Sequence, residues 1–277
     1  MLLVLLLLAK TGFAQETTGS IEGRLVDSTG TPVPGANIIA SGVNLQGVRG
    51  AVTDQNGYFR IVALPVGSYS LKISHVAYRG LTYDKLPVHL GKTSTLGDLR
   101  FVSRTLELSE VTVSGDRPVI DAASTTTGAN LEARTFMPLP TDRNFRSIVT
   151  LAPSANSSSY IGEGTNISGS TGSENIYFID GINVTEPFKS STSADLPYNF
   201  VREVEIKTGG YEAEYASALG GIVNVVTRSG SNDLTGQAFG FFTNNGLTSE
   251  RRTGLIKETI NSFASYDIGL SLGGPII

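Results

Sequence analysis

The 277-residue chain has no cysteine and only two histidines, and 17% of its residues are charged. Each shortage closes a class of chemistry. Without thiols there is no disulfide framework, thiolate metal site or redox centre. A Ser-His-Asp or zinc site would have to draw on His75 and His89, and His75 is followed by Val76-Ala77-Tyr78 rather than by the acidic partner of an H-x-x-E pair. Both histidines read as ordinary strand residues. The net charge is −4 with no concentrated basic patch, which excludes a nucleic-acid surface. The glycine-rich run 162–172 lacks the Gly-Lys-Ser/Thr of a phosphate cradle and reads as a non-catalytic loop. The residues therefore predict no enzyme, no metal site and no cofactor.

What the chain does have is glycine, 32 residues against an average of about 7%. With abundant Ser, Thr and Val this points to a turn-rich, mainly β chain in which helix cannot dominate. Residues 2–9 are apolar but fall short of the roughly 20 residues that cross a bilayer. Gly12-Phe13-Ala14 follows as a small-x-small site, so residues 1–14 read as a signal peptide cut after Ala14. No positive segment precedes the run, which leaves open a start further upstream; a buried strand is the alternative reading. Export without disulfides fits a bacterial envelope protein, where the N-x-S/T patterns at Asn156, Asn166 and Asn183 are chance.

Residues 19–102 alternate short β runs with turn clusters, the pattern of a β-sandwich. Asp54-Gln55-Asn56-Gly57 is expected to be a turn; a calcium loop would need later ligands and a bidentate Glu that are missing. Gly23, Leu25, Asp27, Gly30, Pro32, Gly35 and Ala36, with Thr53, Asp54, Gly57 and Phe59, resemble the motifs of the carboxypeptidase regulatory-like (transthyretin-like) domain. That resemblance implies a fold and carries no peptidase activity with it.

Residues 103–127 read as a linker carrying one β-competent piece, LELSEVTVSG. Such a segment can dock by adding to another protein's sheet edge; equally, it can be the last strand of the sandwich or the first of the next domain. In residues 128–230 the clearest helix has Thr141 as its expected N-cap, Phe145, Ile148 and Val149 on one face, and Ala152-Pro153 as its end. Asp180-Gly181 suits a tight primed hairpin turn. Residues 201–207 alternate, with Val201, Glu203, Glu205 and Lys207 on one face, predicting a strand whose charged face meets water. In residues 209–230, Ala213, Ala216 and Ala218 are small enough for close packing. Gly220-Gly221 permits positive φ or close backbone approach ahead of a buried strand interrupted by Asn224. After residue 231, segments 235–243 and 262–272 alternate like outer-membrane strands and have the 9–11-residue length expected of them.

The second half of the chain resembles TonB-dependent outer-membrane receptors. Glu214, Tyr215, Gly220, Gly221, Asn224, Val225, Thr227 and Arg228 match the end of their plug domain, and GSENIYFIDGINV, with Asp180 and Gly181, is similar to the central plug strand. LPTDRNFRSIVTLAPSA resembles the plug helix of the Oar-like group; Phe178-Ile179-Asp180-Gly181 departs from the SusC-like pattern, so glycan import is not implied. Glu110, Val111, Thr112, Val113 and Ser114 resemble the TonB box of Bacteroidetes-type receptors. The resemblance implies a mainly β fold: signal peptide 1–14, β-sandwich 19–102, linker 103–127, α+β plug 128–230 and, from 231 to 277, the first strands of an outer-membrane barrel. Family barrels have about 22 strands, so an N-terminal fragment is expected. The implied function is gated uptake of an unknown ligand across the outer membrane, with the sandwich in the periplasm and the TonB C-terminal domain as energy-coupling partner. The alternative is a secreted or periplasmic carbohydrate- or protein-binding sandwich without transport activity.

Overall fold

A computed structural model describes residues 17–101, 111–113, 125–139, 141–157, 164–186, 194, 196–215, 218–248, 252–253, 256–257 and 262–275. The expected signal peptide lies outside these, as do Glu110, Ser114 and Ala216. The chain divides into two units, Met1–Arg228 and Ser229–Ile277.

Period-two burial builds the first part of the larger unit. β2 (Asn37–Ser41) buries Ile38 and Ala40 and exposes Asn37, Ile39 and Ser41, while β5 (Gly67–His75) turns Tyr69, Leu71 and Ile73 inward. One sheet has the order β4 (Tyr58–Pro65), β1 (Thr18–Val26), β7 (Thr93–Arg100), with β1 parallel to β7. The facing sheet runs β3 (Arg49–Val52), β2, β5, β6 (Tyr78–Val88), β8 (Val111–Val113). Ile21, Leu25, Phe59, Leu71, Ile73 and Phe101 fill the space between them. Each such side chain contributes about 1.5–3 kcal/mol on burial, enough to hold a sandwich without disulfides. The Asp54 segment is a turn: its carboxylate accepts the N–H groups of Asn56 and Tyr58 at 2.8 Å each, and Gly57 sits at φ +74°. His75 ends β5 and lies 5.2 Å from the ring of Tyr78. His89, expected in a strand, instead lies in the turn between β6 and β7, because β6 ends at Val88.

The α+β region follows. A five-stranded sheet has the order β13 (Ile182–Asn183), β12 (Ile176–Ile179), β15 (Ile222–Thr227), β14 (Val201–Gly209), β9 (Thr127–Glu132). Only β12 and β15 pair in parallel. β10 (Ala155–Ser157) and β11 (Thr165–Ile167) form a separate short pair. Two short helices, α1 (Ala133–Phe136) and α2 (Phe145–Val149), complete the region. Phe136, Phe145, Ile148, Val149, Val204 and Val223 share one core, so the predicted apolar face of α2 is the buried one. Its N-cap is Asn144 rather than Thr141: the Asn144 side chain accepts the Arg146 N–H at 2.6 Å, while Thr141 reaches the Tyr198 hydroxyl at 3.2 Å. The four residues of α1 are too few to leave a periodic signal, and the sequence reading missed them.

The expected charged, water-facing side of β14 is corrected in two ways. A register shift between Val201 and Glu203 turns Val201 into the apolar core with Val204 and Ile206. Glu203, Glu205 and Lys207 are only 0%, 2% and 5% exposed. The turn that follows β6 covers Glu203 and Glu205, while Glu212 and Tyr215, just beyond β14, lie against Lys207.

In the smaller unit β16 (Thr235–Asn244) and β19 (Ala264–Gly273) pair antiparallel without a break from Thr235↔Gly273 to Asn244↔Ala264. β17 (Arg252–Thr253) and β18 (Ile256–Lys257) pair between them in sequence. One face of the β16–β19 ribbon presents Phe242, Tyr266, Ile268, Leu270 and Leu272, all exposed; the other is mixed, with Gln237, Asp267 and Ser271 beside Phe239 and Phe241, whose rings lie 6.2 Å apart. Among the described residues no helix is long and apolar enough to cross a membrane, which says nothing of strands.

Candidate functional site

The parallel pair β12–β15 carries most of the motif residues, and it is fastened at both ends. At the C-terminal end Asp180 (φ 48°) and Gly181 (φ 79°) form the turn between β12 and β13, both at the positive φ of a type I′ hairpin. The Asp180 N–H donates to Val225 O at 2.9 Å. Its carboxylate accepts the Thr227 N–H at 2.9 Å and the Thr227 hydroxyl at 2.7 Å. The turn is thereby stitched to the last residue of β15.

At the other end Gly221 donates its N–H to the side chain of Asn175 at 2.7 Å, and Asn175 in turn donates to Thr165 O at 2.5 Å. Neither Gly220 nor Gly221 takes a positive φ. They are glycines because of close approach: a Cβ on Gly220 would stand 2.5 Å from Asn175 Oδ1, and one on Gly221 would collide with Ile167. Gly220 N–H donates to Glu174 O at 2.9 Å, and Glu174 closes a capping box with Thr171. Asn175, 1% exposed, went unnoticed in the sequence, where nothing distinguishes it from a loop asparagine.

Asn224 is buried on β15, in register with Phe178 on one side and Glu205 on the other. Arg228 is exposed, with its N–H on Phe200 O at 2.8 Å and its guanidinium 3.2 Å from Met137 Sδ. Of the expected small-residue turn, Ala218 is buried and Ala213 exposed. Tyr215 packs edge-on to Phe178 at 6.0 Å, with the Lys207 ammonium 4.7 Å from its ring centre.

A second polar cluster joins the sandwich to the α+β region. Glu203 Oε1 accepts the Leu90 N–H at 3.1 Å and the Asn130 amide at 2.7 Å; the same amide reaches Leu90 O at 3.3 Å. His89 Nδ1 stands 3.6 Å from both Glu203 Oε2 and Glu132 Oε1. Gly91 (φ 62°) lies so close that a Cβ there would be 3.0 Å from Glu205 Oε1. Burial pushes the Glu205 carboxyl up to about 7, opposed by Lys207 and Lys92 and reinforced by Glu203 and Glu212. The adjacent Glu203 carboxylate holds the His89 imidazole above its ordinary pKa, against burial.

Val111, Thr112 and Val113 form β8, parallel to β6 with Leu81↔Val111, Thr82↔Thr112 and Tyr83↔Val113. The segment is the edge strand of a sandwich sheet. Among the described residues no group of three or more His, Cys, Asp or Glu is arranged to hold a metal ion.

Residues 20–102 match the carboxypeptidase regulatory-like domain family. Over 288 aligned residues the chain is 32% identical to the TonB-dependent transporter Oar of Myxococcus xanthus, an alignment covering 98% of this chain and 26% of that protein. The chain is similar along nearly its whole length to the N-terminal part of an Oar-like TonB-dependent transporter. This Oar-like chain thus spans about a quarter of the length of the relative it matches. Among solved structures, a mutant ferric enterobactin receptor of Pseudomonas aeruginosa in complex with enterobactin is 18% identical, covering 54% of this chain and 22% of that one at a TM-score of 0.42. A type II cohesin–X-dockerin complex from Acetivibrio cellulolyticus is 23% identical over 30% of this chain and 56% of that one, at a TM-score of 0.24.

Proposed function

We propose that this chain supplies the periplasmic sandwich and the gating plug of an outer-membrane transporter that takes up a ligand at the expense of TonB-coupled energy. In this reading residues 19–102 are the periplasmic domain, 103–127 the linker, 128–230 the plug, and 231–277 the first strands of the barrel. The observation that carries it is the 32% identity to the Oar transporter along 98% of the chain. The role is mechanical rather than enzymatic, and the ligand stays unassigned.

Physical features accord with each part. The β16–β19 ribbon has one apolar face and one that carries its polar side chains Gln237, Asp267 and Ser271 together with Phe239 and Phe241, in accord with a strand pair between lipid and lumen; two strands alone leave sheet edges that a bilayer does not tolerate. A plug must stay folded until pulled, and the β12–β15 pair is held at both ends by side-chain hydrogen bonds. The coupling partner is the TonB C-terminal domain, engaging Glu110, Val111, Thr112, Val113 and Ser114 by strand addition, where main-chain hydrogen bonds supply affinity.

The test is binding of a TonB C-terminal domain to the full chain by calorimetry, with and without Val111→Pro. Proline removes an N–H from the added strand, and affinity should fall at least 10-fold. No binding by either form refutes the coupling assignment. Recovery of the protein that carries this chain in the soluble periplasmic fraction would favour a secreted binding module instead.

A further inference from the structure

We propose that the turn after β6 and the strand β14 form a proton-linked clasp between the sandwich and the plug-like region, engaged when His89 and Glu205 together hold extra protons and released when they lose them. Three carboxylates, Glu132 from β9 with Glu203 and Glu205 from β14, meet one turn whose only nearby imidazole is His89. Among the described residues His89 Nδ1, Glu203 Oε2 and Glu205 Oε1 are buried and make no hydrogen bond. Two carboxylates buried side by side with unpaired oxygens are costly, whereas a proton on either side of the contact relieves the cost. A protonated His89 Nδ1 faces Glu203 Oε2 and Glu132 Oε1 at equal distance, and a neutral Glu205 no longer repels Glu203.

The rest of the contact is already built for docking. Glu203 Oε1 takes two donors, one of them the Leu90 N–H of the opposing domain, and Gly91 leaves room for the Glu205 carboxyl where any side chain would press on it. The charges facing Glu205 are Lys207 and Glu203 on its own strand, Lys92 from the turn and Glu212 beyond β14. Those facing His89 are Glu203, Glu132 and Arg134. Both shifts have the same sign. Glu205 rises from 4.5 to about 7 in the docked form, so docking takes up a proton and its contribution is lost as pH climbs from about 4.5 through 7. His89, raised above 6.5, favours docking below that value and loses its contribution as pH passes its raised pKa.

The experiment uses the full chain in detergent and follows the Leu90 amide, whose acceptor belongs to the other domain. Hydrogen exchange, corrected for intrinsic rate, is measured from pH 5 to 8, with core amides of Leu71 and Val223 reporting that each domain stays folded. Protection at Leu90 should fall about 100-fold across this range, and in Glu205→Gln, which fixes the neutral form, most of that fall should vanish. His89→Gln should remove the remainder. Equal Leu90 protection at pH 5 and pH 8 in the wild-type chain overturns the clasp, as does a full pH response retained by Glu205→Gln. If the variants fail to fold, the wild-type profile decides by itself.

Discussion

Asp180 binds Thr227 twice, its two carboxylate oxygens taking the Thr227 N–H and hydroxyl at 2.9 and 2.7 Å. The residues are 47 positions apart, so a hairpin turn and the end of a distant strand are fixed as one piece. Charge-assisted bonds of this kind contribute about 1.5–3 kcal/mol when buried and less when exposed, as here. Asp180→Ala should therefore lower the stability of the chain by about 1–2 kcal/mol in urea unfolding, with Asp180→Asn losing less. An unchanged midpoint would show that the turn is held by its backbone alone.

The opposite end of the same strand pair depends on Asn175 and Gly221. Asn175→Ala strands the Gly221 N–H and the Thr165 carbonyl in a buried place, and should cost about 2–4 kcal/mol. Gly221→Ala forces a methyl into Ile167 and should cost about 1–3 kcal/mol, with part of the loss restored by Ile167→Val. Stability equal to wild type in both variants would refute the close-approach account of the glycine pair.

A chain with no cysteine is a clean background for testing the β6–β8 pairing. Thr82 and Thr112 are register partners, and neighbouring strands lie about 4.8 Å apart, within disulfide reach. Thr82→Cys with Thr112→Cys should cross-link under mild oxidation without denaturant. Thr82→Cys with Val113→Cys, one residue out of register, should not. Equal yields from the two pairs would mean that residues 111–113 do not rest on β6 in this register.

Asp27 offers a pH readout in the sandwich. The Thr29 hydroxyl, with the N–H groups of Thr31 and Thr29, holds its carboxyl below the usual value. A depressed folded-state pKa stabilises the turn above the unfolded value, and this is lost as pH falls through the lowered one. An NMR titration should place the Asp27 midpoint below 3.8, and Thr29→Ala should raise it. A midpoint that Thr29→Ala leaves in place would assign the shift elsewhere.

The two faces of the β16–β19 ribbon should respond differently to charge. On the proposed reading of the ribbon as the start of an outer-membrane barrel, Ile268→Lys, on the apolar face, should cut the outer-membrane yield of the protein that carries this chain, since a lysine facing the bilayer midplane costs about 2–4 kcal/mol. Ser271→Lys, on the face that carries Gln237 and Asp267, should leave it near wild type. The reverse order would turn the ribbon around.

Local properties were legible in the residues alone. The sandwich follows from alternation, because side chains of a strand point to opposite faces and a core selects one of them. The Asp180-Gly181 turn follows from the few residue types that accept positive φ at both central positions. The buried face of α2 was legible too, because Phe145, Ile148 and Val149 recur at helical spacing. The similarity to Oar-like transporters, too, is carried by short runs of sequence.

What tertiary structure decided is which surfaces meet. Glu203, Glu205 and Lys207 alternate as an exposed strand would, yet a turn more than 100 residues earlier covers the two glutamates, and no pattern within β14 records that cover. The register shift beside Val201 moved one side chain to the other face, and Asn144 displaced Thr141 as helix cap because only its side chain stood beside the Arg146 N–H. Gly220 and Gly221 looked equally suited to a positive φ and to a close approach; the neighbours Asn175 and Ile167 settled it. Strand direction and turn chemistry are set by residues near in sequence, whereas burial, and with it the proton affinity of a carboxylate, is set by whatever packs against it from far along the chain.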